Sequence, residues 1–77
     1  MKKTIATSAT CGPCHVLKSQ IKKLGIEIEI REYNNAKHTA WFRQHSIRQV
    51  PSLVIESEDS VEIIHGVEDI INRLTNE

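Results

Sequence analysis

Along the chain the spacing of apolar residues changes period several times, and each change predicts an element. Residues 2–7 read as a short strand, and the polar stretch Ser8-Ala9-Thr10 follows as a loop. From Pro13 the period becomes helical: Leu17, Ile21 and Leu24 stand at i, i+4 and i+7, with Lys18, Lys22 and Lys23 off that stripe. Pro13 suits the first helical turn, where a missing N–H costs nothing, and Gly25 stands where a helix stop is expected. Residues 26–32 alternate strictly between apolar and charged, the pattern of a strand with one buried and one wet face. Its glutamates also discourage edge-to-edge pairing.

The second half repeats these signals in another order. Asn34 or Asn35 can cap a helix over residues 36–45, whose Trp41 and Phe42 need an apolar surface. Ser52-Leu53-Val54-Ile55 reads as a buried strand, residues 56–60 as a polar turn and residues 61–65 as its hairpin partner. After Gly66, the residues Val67, Ile70, Ile71 and Leu74 form a helical stripe, with Glu68 and Asp69 in the first turn, where negative charge suits the dipole. Strand, helix and strand within the first thirty-two residues make a right-handed βαβ unit with parallel strands. The expectation is α/β in the order β-α-β-α-β-β-α, a four-stranded mixed sheet with three helices in one domain over residues 1–77. Functional groups in such sheets collect at the carboxyl ends of parallel strands.

Composition narrows the function. Ten lysines and arginines balance ten aspartates and glutamates, so no long-range field draws the protein onto nucleic acid or an anionic membrane. No apolar run approaches the roughly 18 residues of a membrane span, and the N-terminus lacks the apolar middle of a signal peptide, so a cytoplasmic location is expected.

The chemistry lies at the end of the first strand, in Cys11-Gly12-Pro13-Cys14. A thiol reacts as its thiolate, and the ordinary cysteine pKa of ~8.5 leaves little of it at neutral pH. A helix N-terminus favours the anion, which marks Cys11 as the nucleophile. Cys14, three residues on, lies beside it on the same helical face and can resolve a mixed disulfide. Other readings compete. A structural clip would close a loop too short to stabilise much. A zinc site would need histidines from among His15, His38, His45 and His65, without a second CxxC or an HxxxH spacing. A cluster shared between two subunits is a third.

With strand–CGPC–helix and a proline before the third strand, the chain resembles the thioredoxin superfamily, and its length resembles the glutaredoxins. That likeness implies a thioredoxin-like fold, a cis Val50-Pro51 peptide facing the dithiol, and Cys11 and Cys14 as catalytic residues. Gly12, Pro13, Val50, Pro51 and Gly66 would form the substrate-binding surface, with no metal or bound cofactor and electrons arriving from NADPH through a reductase. The stretches Ile47-Arg48-Gln49-Val50-Pro51 and Gly66 to Leu74, with His15 after the second cysteine, are most similar to the NrdH-redoxins. These are glutaredoxin-sized proteins that act like thioredoxins, are recharged by thioredoxin reductase and reduce ribonucleotide reductase; a monomer is expected for this chain. Glutathione-using glutaredoxins carry Lys, Tyr and a Gly-Gly turn where this chain has Ser8, Pro13 and His65-Gly66, which makes glutathione the second choice of reductant.

Overall fold

In the computed structural model, which describes residues 2–76, the elements run β1 (Lys2–Thr7), α1 (Gly12–Leu24), β2 (Glu29–Glu32), a 3-10 turn (Ala36–His38), α2 (Thr39–Gln44), β3 (Ser52–Glu56), β4 (Val61–His65) and α3 (Val67–Thr75). The four strands form one sheet in the order β2-β1-β3-β4. β1 pairs parallel with β2 and antiparallel with β3, and β3 pairs antiparallel with β4. This is the predicted α/β architecture. No helix among the described residues is long and apolar enough to cross a membrane.

The two-residue period of β1 and β3 sends alternate side chains to opposite faces. One face carries Ile5, Leu53 and Ile55, which bury Leu17 and Ile21 of α1 and Ile70 of α3. Ile30 and Ile64 from the outer strands, and Ile28 just before β2, pack against the same cluster. The other face carries Ala6 and Val54, covered by Phe42 of α2 and by Ile47. Trp41 packs at the margin of this second cluster, with the Arg31 guanidinium 4.8 Å from its ring centroid and its Nε1–H donating to Glu56 at 3.4 Å. Its surroundings account for Trp41 as a packing residue.

Two boundaries differ from the sequence reading. β2 starts at Glu29 rather than Ile26, because Ile26 is used to close α1: its N–H donates to the Ile21 carbonyl at 3.1 Å and that of Gly25 to Lys22 at 3.2 Å. Gly25 has φ 69°, the left-handed position that ends a helix in this way. The second helix is also shorter than residues 36–45. Asn35 caps a 3-10 turn by accepting the Lys37 N–H at 2.9 Å, and α-helical geometry begins only at Thr39.

Candidate functional site: a dithiol between two cores

Beyond β1, residues 8–10 form a turn that delivers Cys11 to the start of α1. The Asn34 side chain holds this turn, its Oδ1 accepting from Ser8 Oγ and from the Ala9 N–H, both at 3.0 Å. The Cys11 N–H donates to the Ser8 carbonyl at 3.2 Å. His15 adds a further tie: its Nε2 lies 3.1 Å from the Ala9 carbonyl oxygen, so that ring nitrogen carries a proton and donates it.

Cys11 is the N-cap of α1. Its backbone is extended (φ −93°, ψ 115°), and its Sγ accepts the Cys14 N–H at 3.2 Å. The two sulfurs are paired as a disulfide, with the Cα atoms 5.2 Å apart, inside the usual range. Their surroundings differ. Cys14 has no solvent exposure and faces the core, whereas Cys11 is half-buried and open on one side. Gly12 and Pro13 between them are exposed, and Pro13 occupies the first turn as its missing N–H suggests.

The loop before β3 meets the dithiol from the opposite side. The Val50–Pro51 peptide is cis, and the Val50 carbonyl oxygen lies 3.7 Å from Cys11 Sγ. Ser52 Oγ donates to the Gln49 carbonyl. A hydroxyl has one proton to give, so His65 Nδ1, 2.7 Å away, donates to the Ser52 oxygen. The Gly66 N–H donates to the Pro51 carbonyl at 3.3 Å, which joins the end of β4 to the same loop. Gly66 takes φ 91°, where a side chain is strained although an added Cβ would meet no atom within 4 Å. The backbone conformation, not space, calls for glycine here.

Pro13, Val50, Pro51 and Gly66 therefore line one open groove of about 610 Å³ beside the sulfurs, together with Arg48, Gln49, His65 and Val67. Gly12 lies at the helix start between the two cysteines and is not among the lining residues. Among the described residues, no group of three or more histidines, cysteines, aspartates or glutamates comes together as a metal would need. The His15 ring bonds the Ala9 carbonyl through Nε2, and the His65 ring bonds Ser52 through Nδ1.

Solved structures of similar shape identify the fold. Thioredoxin F from spinach chloroplast superposes with TM-score 0.72 at 22% identity, over 96% of this chain and 72% of its short form; its long form is covered over 64%. Thioredoxin from Trypanosoma brucei brucei superposes with TM-score 0.74 at 15% identity, over 97% of this chain and 70% of that one. The protein has the thioredoxin fold. The glutaredoxin-like NrdH-redoxin of Escherichia coli, described as having a thioredoxin-like activity profile, is 29% identical with TM-score 0.67, over 96% of this chain and 95% of that one. No protein-family model matches the chain, and no curated protein matches it by sequence. In this thioredoxin fold a paired Cys11 and Cys14 stand at the end of β1, the arrangement of a redox protein.

The residues that sequence reasoning missed are the ones that tie loops together. Of the two candidate caps for the second helix, Asn35 takes that place, and Asn34 anchors the turn before Cys11. Two successive asparagines after a strand are a turn signal, but only the parallel β1–β2 pairing brings Asn34 beside Ser8. The Ser52–His65 bond has a clearer precursor: both residues end hairpin strands, and they are register partners.

Proposed function

We propose that this protein is a dithiol–disulfide oxidoreductase that donates electrons to protein disulfides, ribonucleotide reductase being a fitting target, and that thioredoxin reductase recharges it. The observation that carries this reading is the asymmetry of the pair. Cys11 caps α1 with an N–H on its sulfur and one side open, while Cys14 is buried behind it. Once the bond is reduced, that N–H and the helix dipole favour the thiolate at Cys11.

The Cys11 thiolate attacks a target disulfide, forming a mixed disulfide as the target S–S bond breaks and the departing sulfur takes up a proton. The Cys14 thiol then loses its proton and attacks Cys11 Sγ, which breaks the mixed disulfide and releases the second target thiol. Two electrons have moved to the target, and Cys11–Cys14 is oxidised. The Val50 backbone, at the edge of the groove, hydrogen-bonds an extended target segment during the attack. A reductase returns the two electrons from NADPH.

Support for thioredoxin reductase as donor comes from the likeness to the E. coli NrdH-redoxin, which runs over nearly the whole of both chains. It also comes from two positions near the dithiol. Ser8, where a glutathione-using glutaredoxin has its lysine, is tied to Asn34, and His65, at the first position of the missing Gly-Gly turn, is tied to Ser52. Neither of these two positions supplies the charge that the lysine would give a tripeptide anion; the groove's cation is Arg48 instead. A monomer acting in the cytoplasm is consistent with this role. The test is NADPH consumption with insulin as acceptor, using thioredoxin reductase in one arm and glutathione with glutathione reductase in the other. Faster turnover with thioredoxin reductase is expected; turnover with glutathione alone would reverse the assignment.

A further inference from the structure

A second cleft opens on the other side of the cis-proline loop. It holds about 330 Å³ and is lined by Ser8, Tyr33, Phe42, Ile47, Arg48 and Val50. A neighbouring hollow of about 290 Å³ shares Tyr33, Phe42, Ile47 and Arg48 and extends the surface to Arg43 and Ser46. The two form a continuous track from Val50, whose carbonyl lies against Cys11, out to the end of α2.

Three features of the track are unexplained by packing. Tyr33 leaves 59% of its surface exposed while its ring stands edge-on to Phe42, with centroids 5.6 Å apart. Arg43 and Arg48 are exposed, and neither guanidinium has an ion-pair or hydrogen-bond partner among the described residues, although the side chains of Lys18, Arg31 and Arg73 all pair with glutamates. Ser46 has φ 53°, a left-handed conformation rare for a serine, at the point where the chain leaves α2. No acidic residue lines either hollow.

We infer that this track receives the chain segment flanking the target's disulfide, and that its two unpaired arginines select a segment carrying acidic residues. The inference rests on the oxidoreductase reading above and adds the substrate's character to it. An extended segment that pairs with the Val50 backbone as its cysteine meets Cys11 must leave the site on one side of the loop, and this track is continuous with that point. Tyr33 offers the segment an aromatic surface that costs little entropy to use. Arg43 and Arg48 offer it two charges that need not first break an internal pair.

The probes are two synthetic peptides with the same intramolecular disulfide, in which the residues flanking the attacked cysteine are glutamates in one and lysines in the other. The rate constant for their reduction by pre-reduced protein is measured, and the ratio is taken within each protein so that any general loss cancels. Wild type should reduce the glutamate peptide about tenfold faster at low salt, as expected for two exposed charge pairs, with the ratio shrinking as salt is added. R43Q/R48Q should bring the ratio near one, and R43E/R48E should invert it. Equal rates in wild type, or a ratio unmoved by the charge reversal, would overturn the preference and leave the oxidoreductase reading intact. Reduction of neither peptide by wild type would overturn both.

Discussion

The two faces of the sheet are built differently, and the site lies where they meet. The face under α1 and α3 is aliphatic and sealed at its centre, with Ile5, Leu17, Leu53 and Ile70 all at 0% exposure. The face under α2 is smaller and depends on one six-residue helix, with Phe42 and Trp41 edge-on to each other and Ile47 reaching in from a loop. Cys14 belongs to α1 on the first face, whereas Val50 packs against the second cluster. The helix that carries Cys14 is thus seated on the larger core and the cis-proline loop on the lighter one, so changes in the two cores should have different consequences.

The largest effect is expected on the sealed face. Leu17→Ala should cost about 3 kcal/mol, the usual scale for a buried leucine whose cavity collapses only partly, and this is a large share of the stability of so small a domain. A fall in the denaturant midpoint at unchanged slope checks it, and activity should fall only with the folded fraction.

Ile47→Ala sharpens the comparison from the other side. Ile47 is 8% exposed and begins the loop that carries Val50, so the loss should be smaller, about 2 kcal/mol. Activity toward a protein disulfide should fall further than the folded fraction does, because the loop loosens while the dithiol stays in place. Insulin reduction, corrected for the folded fraction, measures this. Equal losses per unit of stability in the two variants would mean that the faces do not divide the work as described.

The smallest effect lies at the far edge of the sheet. The hydrogen bond from Arg31, opposed by desolvation and helped by the Arg31 and Lys2 charges, holds the Glu29 carboxyl below its usual pKa. A lowered folded-state pKa contributes stability above the unfolded value and loses it as pH falls through the depressed one. Glu29→Gln should therefore destabilise slightly near neutral pH and approach wild type in acid. The side chain is well exposed, so added salt should shrink the difference.

The apolar spacing made most of this architecture legible. Leu17 and Ile21 marked the buried stripe of α1, the alternation at Ile28 and Ile30 placed both on one face, and Gly25 and Gly66 marked the turns at which positive φ is found. Boundaries were less legible where a tertiary contact takes residues from a local pattern, as when Ile26 closes α1 instead of extending β2. Within the site, Cys11 and Cys14 could be read from the strand-to-helix switch around them. The ties from Asn34 to Ser8, His15 to Ala9 and His65 to Ser52 join separate segments, or reach back from the helix to the loop before it, through orientations that spacing does not encode.

The central claim is that Cys11 attacks and Cys14 resolves. Cys14→Ser and Cys11→Ser proteins, each reduced and then mixed with insulin under non-reducing conditions, test it most directly by mass spectrometry of the covalent adduct. The account predicts a lasting mixed disulfide through Cys11 in the Cys14→Ser protein and little or none in the Cys11→Ser protein, whose remaining sulfur is buried. An adduct through Cys14 in the Cys11→Ser protein, with none through Cys11 in the other, would contradict it.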